Sequence, residues 1–144
     1  MPVICVTESK YTSPIATNQS YKAYVPAVIL AAGIAMVSLW ENPHAPLVQE
    51  VSDKVLHGAM YMLLSVSLAG ALFYNHHAWW RTAAWVCFGV TLYGGILELL
   101  QATCTQTRSG EWMDVLADGA GAVLGFVLVW VISYLWQKRT THTT

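Results

Sequence analysis

Four apolar stretches of about twenty residues constrain this chain more than any other feature. They cover residues 24–40, 55–74, 83–100 and 115–136. A helix rising about 1.5 Å per residue needs roughly 20 residues to cross a hydrocarbon core of about 30 Å. The segments show no strand-like alternation, and four are too few for a closed transmembrane barrel. Only helices then satisfy every backbone group in lipid. Pro26 falls in the first turn of the first segment, where its missing N–H costs nothing.

The connections are short. Residues 41–54 carry Pro43 and Pro46, residues 75–81 read as a tight turn, and residues 101–114 form a polar loop with Arg108, Ser109 and Gly110. Links of this length join antiparallel neighbours. The predicted fold is an all-α membrane protein, a four-transmembrane-helix antiparallel bundle over residues 23–137. A mobile polar tail (1–22) precedes it, and a polar basic tail (138–144) follows.

Composition agrees with lipid as the solvent. Of 144 residues, 10% are charged, whereas a soluble domain carries about 25%. A net charge of −1 gives no electrostatic case for nucleic-acid binding. Trp40, Trp79, Trp80, Trp112 and Trp136 sit at or near the ends of the apolar runs, where amphipathic rings favour the headgroup level. The lipid bilayer is therefore the first expected partner, and a homo-oligomer is compatible with so small a chain.

Basic residues set the expected orientation. Lys10, Lys22, Arg81, Lys138 and Arg139 fall on the side of both termini, against Lys54 and Arg108 on the other. Five against two places both termini in the cytoplasm and the first and third loops outside.

The outer ends of the helices then share an unusual content. Asp53, Lys54 and His57 open the second segment, Glu98 and Gln101 close the third, Arg108 lies in the loop, and Asp114 and Asp118 open the fourth. Asp53, His57 and Tyr61 follow i, i+4, i+8, one helix stripe, as do Asp114 and Asp118 at i, i+4. Gly121 and Gly125 form a GxxxG pair that lets a neighbouring backbone approach closely. Charged groups facing lipid cost about 2.5–3.5 kcal/mol at the bilayer centre, so these stripes are expected to face inward. Each residue also has a plain structural reading: Asp53 and Asp114 as first-turn acids, His57 as an interhelical hydrogen-bonding residue, Glu98 with Arg108 as an ion pair. Convergence on one membrane level favours a candidate polar site.

The cysteines Cys5, Cys87 and Cys104 are scattered, with no CxxC or other metal-ligand spacing. No disulfide, metal or other cofactor is expected on that ground, while the excess of acids over Lys54 and Arg108 leaves three outcomes open: a protonated carboxyl, a charged His57 or a bound cation.

The ordered set of motifs resembles the VanZ-like family of small bacterial membrane proteins. Asp53-Lys54-Val55-Leu56-His57 with Tyr61 is similar to its D-K-x-x-H-x-x-x-Y element. Glu98-Leu99-Leu100-Gln101 is similar to E-x-x-Q, and Arg108-Ser109 with Asp114, Asp118, Gly121 and Gly125 to the R-S…D…G…G block. Asp118 departs from the pattern, which more often has Asn, and so adds a negative charge. The resemblance implies a multi-pass protein of the bacterial inner (cytoplasmic) membrane. It also implies a link to glycopeptide (teicoplanin) resistance, without naming a reaction. Two function classes follow. One is an accessory factor binding a lipid headgroup, a lipid-linked ligand or a cell-wall component through the polar cluster. The other is a membrane-embedded enzyme using His57 or Glu98 in acid/base chemistry; no known nucleophile motif accompanies them. A small transporter ranks behind both, because four helices are few for alternating access.

Overall fold

The structure, a computed structural model, describes residues 21–40, 50–75, 78–104 and 111–141. Among them there is no strand. A 3-10 turn, Tyr21–Tyr24, runs into α1, Val25–Leu39; then follow α2, Glu50–Tyr74, α3, Trp79–Cys104, and α4, Trp112–Thr141. Stretches within all four are long and apolar enough to cross a membrane: Tyr21–Leu39, Lys54–Tyr74, Trp79–Cys104 and Trp112–Arg139. Residues 1–20, 41–49, 76–77, 105–110 (Arg108 among them) and 142–144 lie outside the described residues, and the expected C-terminal tail is helical as far as Thr141.

The helices outrun their apolar stretches. Trp79, Trp80 and Arg81, read from sequence as part of a tight turn, belong to the first turn of α3. The physical reason is capping by continuation: Thr82 N–H bonds back to Ala78 carbonyl at 3.0 Å, so the helical ladder starts before the apolar run does. Arg81 places its guanidinium 5.0 Å from the Trp80 ring centroid, a cation–π contact suited to a helix end. At the other boundary, Gln101–Cys104 stay helical rather than entering the loop.

Side-chain contacts fix the topology. Ser38, near the end of α1, meets Gln101 near the end of α3, and Ala31 meets Tyr93; α1 and α3 run the same way. His57, early in α2, meets Asp118, early in α4, and both lie near Glu98, late in α3. The bundle is therefore up-down-up-down. The end where α1 and α3 finish and α2 and α4 begin carries the polar groups. It is called the polar end below.

Burial is inverted relative to a water-soluble bundle. Val28, Ile29, Met36, Leu63, Trp85, Phe88 and Leu124 are exposed, while His57, Ser65, Thr82, Glu98, Gln101, Asp114 and Asp118 are buried. That distribution suits hydrocarbon outside and polar contacts between helices inside. Trp40 and Trp112 are exposed at the polar end, and Trp79, Trp80 and Trp136 at the opposite one. Trp112 and Trp136 are separated by about 36 Å along α4 at 1.5 Å per residue, close to the distance between two headgroup belts.

The tightest seam joins α4 to α2. A Cβ added to Gly121 would collide with the carbonyl oxygen of Gly58 and come within 3.1 Å of Met62 N. One added to Gly125 would lie 2.5 Å from Met62 carbonyl oxygen and 2.8 Å from Ser65 Cβ. Ser65 uses this closeness to donate its hydroxyl to Ala122 carbonyl at 2.6 Å. Phe73 and Phe126 stack below, ring centroids 6.2 Å apart.

A buried carboxylate and imidazole cluster at the polar end

Three helices contribute the cluster. The α2–α4 seam brings His57 Nδ1 to 3.2 Å from Asp118 Oδ1. Helix α3 delivers Glu98 from the opposite direction, its Oε1 4.0 Å from the same nitrogen. Glu98 is in turn fixed by the chain entering α4: the Glu111 backbone N–H donates to its Oε2 at 2.9 Å. This is a carboxylate capping a helix N-terminus across space rather than from its own helix.

Lys54 forms the rim. Its ammonium donates to Glu111 Oε2 at 2.9 Å and lies 3.4 Å from Asp114 Oδ1. The second contact is an ion-pair distance without hydrogen-bond alignment, since Asp114 Oδ1 is buried with no hydrogen-bond partner. Lys54 and Glu111 are the accessible groups, with side chains 30% and 46% exposed. Beneath them Glu98 is 6%, Asp114 6% and Asp118 0% exposed. Asp118 lies about 9 Å along α4 from Trp112, six residues at 1.5 Å each, so the cluster sits just inside the belt.

Tyr61 closes the floor. Its ring, 1% exposed, stacks on His57 at 6.4 Å and leans against Tyr93 at 6.3 Å. Gln101 serves a different partner: its amide donates to the Ser38 carbonyl at 2.8 Å, tying α3 to α1. Of the residues singled out in sequence, Lys54, His57, Tyr61, Glu98, Asp114 and Asp118 are thus gathered at one place. Arg108 and the side chain of Asp53 lie outside the described residues.

Two contributors escaped the sequence reading. Glu111 both donates its backbone N–H to Glu98 and pairs with Lys54; its spacing from Asp114 and Asp118, i, i+3, i+7, was the available signal. Gly94 makes room for Asp118. A Cβ there would collide with Asp118 Oδ2, approach its Cγ at 2.9 Å and meet Tyr61 Cε1 at 3.0 Å. Nothing local in the sequence marks that requirement, because the collision is with α4 and α2.

The electrostatics are unbalanced. Among the described residues Glu98, Glu111, Asp114 and Asp118 face one ammonium, Lys54, and one imidazole, His57. Asp114 Oδ1 and Asp118 Oδ2 are buried oxygens that accept no hydrogen bond, although a desolvated carboxylate is costly unless its lone pairs are used. Chemically, such a site can hold a cation, exchange a proton, or present Lys54 to an anion at the rim.

Fold and cluster together define a four-helix membrane protein with buried ionisable groups at one end. The chain belongs to the VanZ/LLP1 family, whose pattern matches it over residues 3–133. Nothing among curated proteins or solved structures matches it.

Proposed function

We propose that this VanZ-like membrane protein is an accessory factor of the bacterial cell envelope that binds a lipid headgroup or another envelope component at its polar end. One observation carries the reading: His57, Glu98, Asp114 and Asp118 are buried at a single level of an otherwise apolar bundle, and the partly exposed Lys54 joins them at the rim. Intramembrane ionisable residues are expensive and mark functional positions. Lys54, standing at the rim, supplies the donor for an anionic group, and the acids behind it hold its ammonium in place.

In this proposal the protein lies in the inner membrane with both termini cytoplasmic and the polar end outside. Family membership supports a contribution to reduced sensitivity to the glycopeptide teicoplanin. The test is the teicoplanin susceptibility of cells expressing the wild-type chain, Lys54→Met or Glu98→Gln at equal membrane abundance. The proposal expects protection from the wild type and loss of it in both variants. Equal protection by all three removes the cluster from the function.

Cys104, exposed at the end of α3, reports the orientation. In a chain carrying Cys5→Ser and Cys87→Ser, a membrane-impermeant maleimide should label Cys104 in intact cells. Labelling only after permeabilisation inverts the topology.

A second reading has one specific support. Asp118 holds His57 by Nδ1 at 3.2 Å, the way an orienting carboxylate prepares an imidazole for proton transfer. Turnover of a lipid-linked or cell-wall substrate by the purified protein, lost in His57→Gln, would make the chain an enzyme.

A further inference from the structure

We infer that the polar end is a binding site for one divalent transition-metal ion, of the zinc type, held by His57, Glu98 and Asp114. A ring nitrogen of His57, a carboxylate oxygen of Glu98 and one of Asp114 all lie within 4.8 Å of one another, and all three residues are buried. The donors come from α2, α3 and α4, so no sequence spacing announces them. This is why the absence of CxxC-like motifs pointed away from a metal.

The fit is chemical as well as geometric. Donors bound at about 2.0–2.2 Å in a tetrahedral site stand roughly 3.4 Å apart. Closing from 4.8 Å is a rotamer-scale adjustment of three side chains at helix ends. One imidazole and two carboxylates suit borderline ions such as Zn2+ better than Mg2+ or Ca2+, which prefer all-oxygen shells.

Asp118 holds the His57 ring through Nδ1, the carboxylate–histidine arrangement that orients metal-bound imidazoles. Glu111 N–H holds Glu98 Oε2, leaving Oε1 on the His57 side.

An independent observation points to a missing partner. Asp114 Oδ1 belongs to a side chain 9% exposed and is buried without a hydrogen bond. Lys54 offsets part of the charge as an ion pair. Its ammonium is directed to Glu111 at 2.9 Å and only approaches Asp114 at 3.4 Å. With three protein ligands an ion keeps coordination positions open. If the headgroup reading holds, those positions would face the rim and accept a phosphate oxygen; the metal site itself does not depend on that reading.

The experiment uses the tag-free full chain in detergent, stripped with chelator. His76→Asn and His77→Asn are introduced to remove a neighbouring pair of histidines as background. Zinc is measured by mass spectrometry after dialysis and by competition with a chromophoric chelator. The expected result is one Zn2+ per chain, retained in 1 mM Mg2+, and abolished by His57→Gln or Asp114→Asn. Asp118→Asn, which alters the orienting bond and removes one acid from the cluster, should weaken binding by about 10–100-fold.

Should those variants fail to fold, the unaltered site decides. Co2+ should give a single-site absorption spectrum with nitrogen and oxygen ligands, and saturating Zn2+ should raise the melting temperature. No stoichiometric zinc, zinc displaced by Mg2+, or binding indifferent to His57 and Asp114 overturns the inference. Because no lipid or antibiotic is present, that failure leaves the headgroup proposal standing. A susceptibility phenotype that ignores Lys54 and Glu98 would likewise leave the metal site standing.

Discussion

Helices α4 and α1 are held in the bundle by opposite means, α4 against α2 and α1 against α3. Between α4 and α2 the backbones touch: Gly121 and Gly125 leave no room for a methyl group against Gly58, Met62 and Ser65. Helix α1 is held by two side-chain clasps, Tyr93 hydroxyl to Ala31 carbonyl at 2.6 Å and Gln101 amide to Ser38 carbonyl at 2.8 Å. Below the clasps a cavity of about 310 Å³ opens between α1, α2 and α3, lined by Ala27, Ala31, Leu64, Leu68, Val90 and Tyr93. In lipid there is no hydrophobic force between helices, so contact area and hydrogen bonds decide adhesion. The close seam should therefore resist separation more than the clasped one. His57 and Asp118 sit directly above the close seam, which is why two groups sixty-one residues apart can hold a 3.2 Å contact.

The largest effect should come from forcing the close seam open. Gly121→Leu places side-chain atoms where the Gly58 carbonyl stands, and backbone cannot step aside as a side chain can. We expect a loss of about 3 kcal/mol, the upper part of the overpacking range, with Gly125→Leu close behind. Thermal unfolding in detergent, followed by circular dichroism, measures it. Melting like wild type in both would mean that α4 does not depend on this face.

A smaller effect is expected at Gly94. Gly94→Ala meets side-chain atoms of Asp118 and Tyr61 rather than backbone, so the cluster gives way before the helices do. The expected cost is about 2 kcal/mol, accompanied by loss of the His57–Asp118 contact. Nitrogen-15 spectra of the His57 imidazole distinguish this from general loosening. An unchanged His57 spectrum in a folded Gly94→Ala chain would show that Asp118 can be accommodated elsewhere.

The contrast also explains what was legible in the sequence. Hydrophobic length gave four helices, and short links gave their alternation, because both are local properties. The GxxxG pair and the i, i+4 stripes are local too, and Gly121, Gly125, His57 and Asp118 could be placed on faces from spacing alone. What spacing cannot supply is the partner across the seam. Gly94 looks like any helix glycine until Asp118 fills the space beside it. Gln101, one turn from Glu98 on the same stripe, turned out to clasp Ser38, since a stripe wide enough for two neighbours does not say which one each residue serves. Helix ends were drawn too short for the same reason. The ladder at Trp79–Arg81 continues on backbone hydrogen bonds that hydropathy does not register.

Loosening the clasped seam should cost less than either glycine change. Tyr93→Phe removes one interhelical hydrogen bond and Gln101→Ala another, each worth about 0.6 kcal/mol on average in membrane bundles. The double variant should destabilise by about the sum, because Tyr93 and Gln101 are eight residues apart on α3 and reach different carbonyls. The His57 spectrum should stay as in wild type, since Tyr93→Phe keeps the ring that leans on Tyr61. A cluster that collapses when the clasps are cut would make α1 part of the site's support and erase the distinction between the two seams.

The smallest effect, and the one most specific to the contrast, is expected in the middle of α1. Gly33 has nothing within 4 Å of where a Cβ would stand, although it lies in the same bundle as Gly121 and Gly125. If α1 faces open space at this level, Gly33→Ala meets no neighbour and only removes the flexibility of a helical glycine. That change is favourable by up to about 1 kcal/mol in water; in a bilayer, where the helix forms before it packs, a gain of a few tenths is expected. Thermal unfolding of Gly33→Ala beside Gly121→Ala makes the comparison with one added carbon in each. The first should melt at or slightly above wild type and the second clearly below it. A loss at Gly33 as large as that at Gly121 would mean that α1 carries a close contact on this face in the membrane, supplied by a second copy of the chain or by another protein.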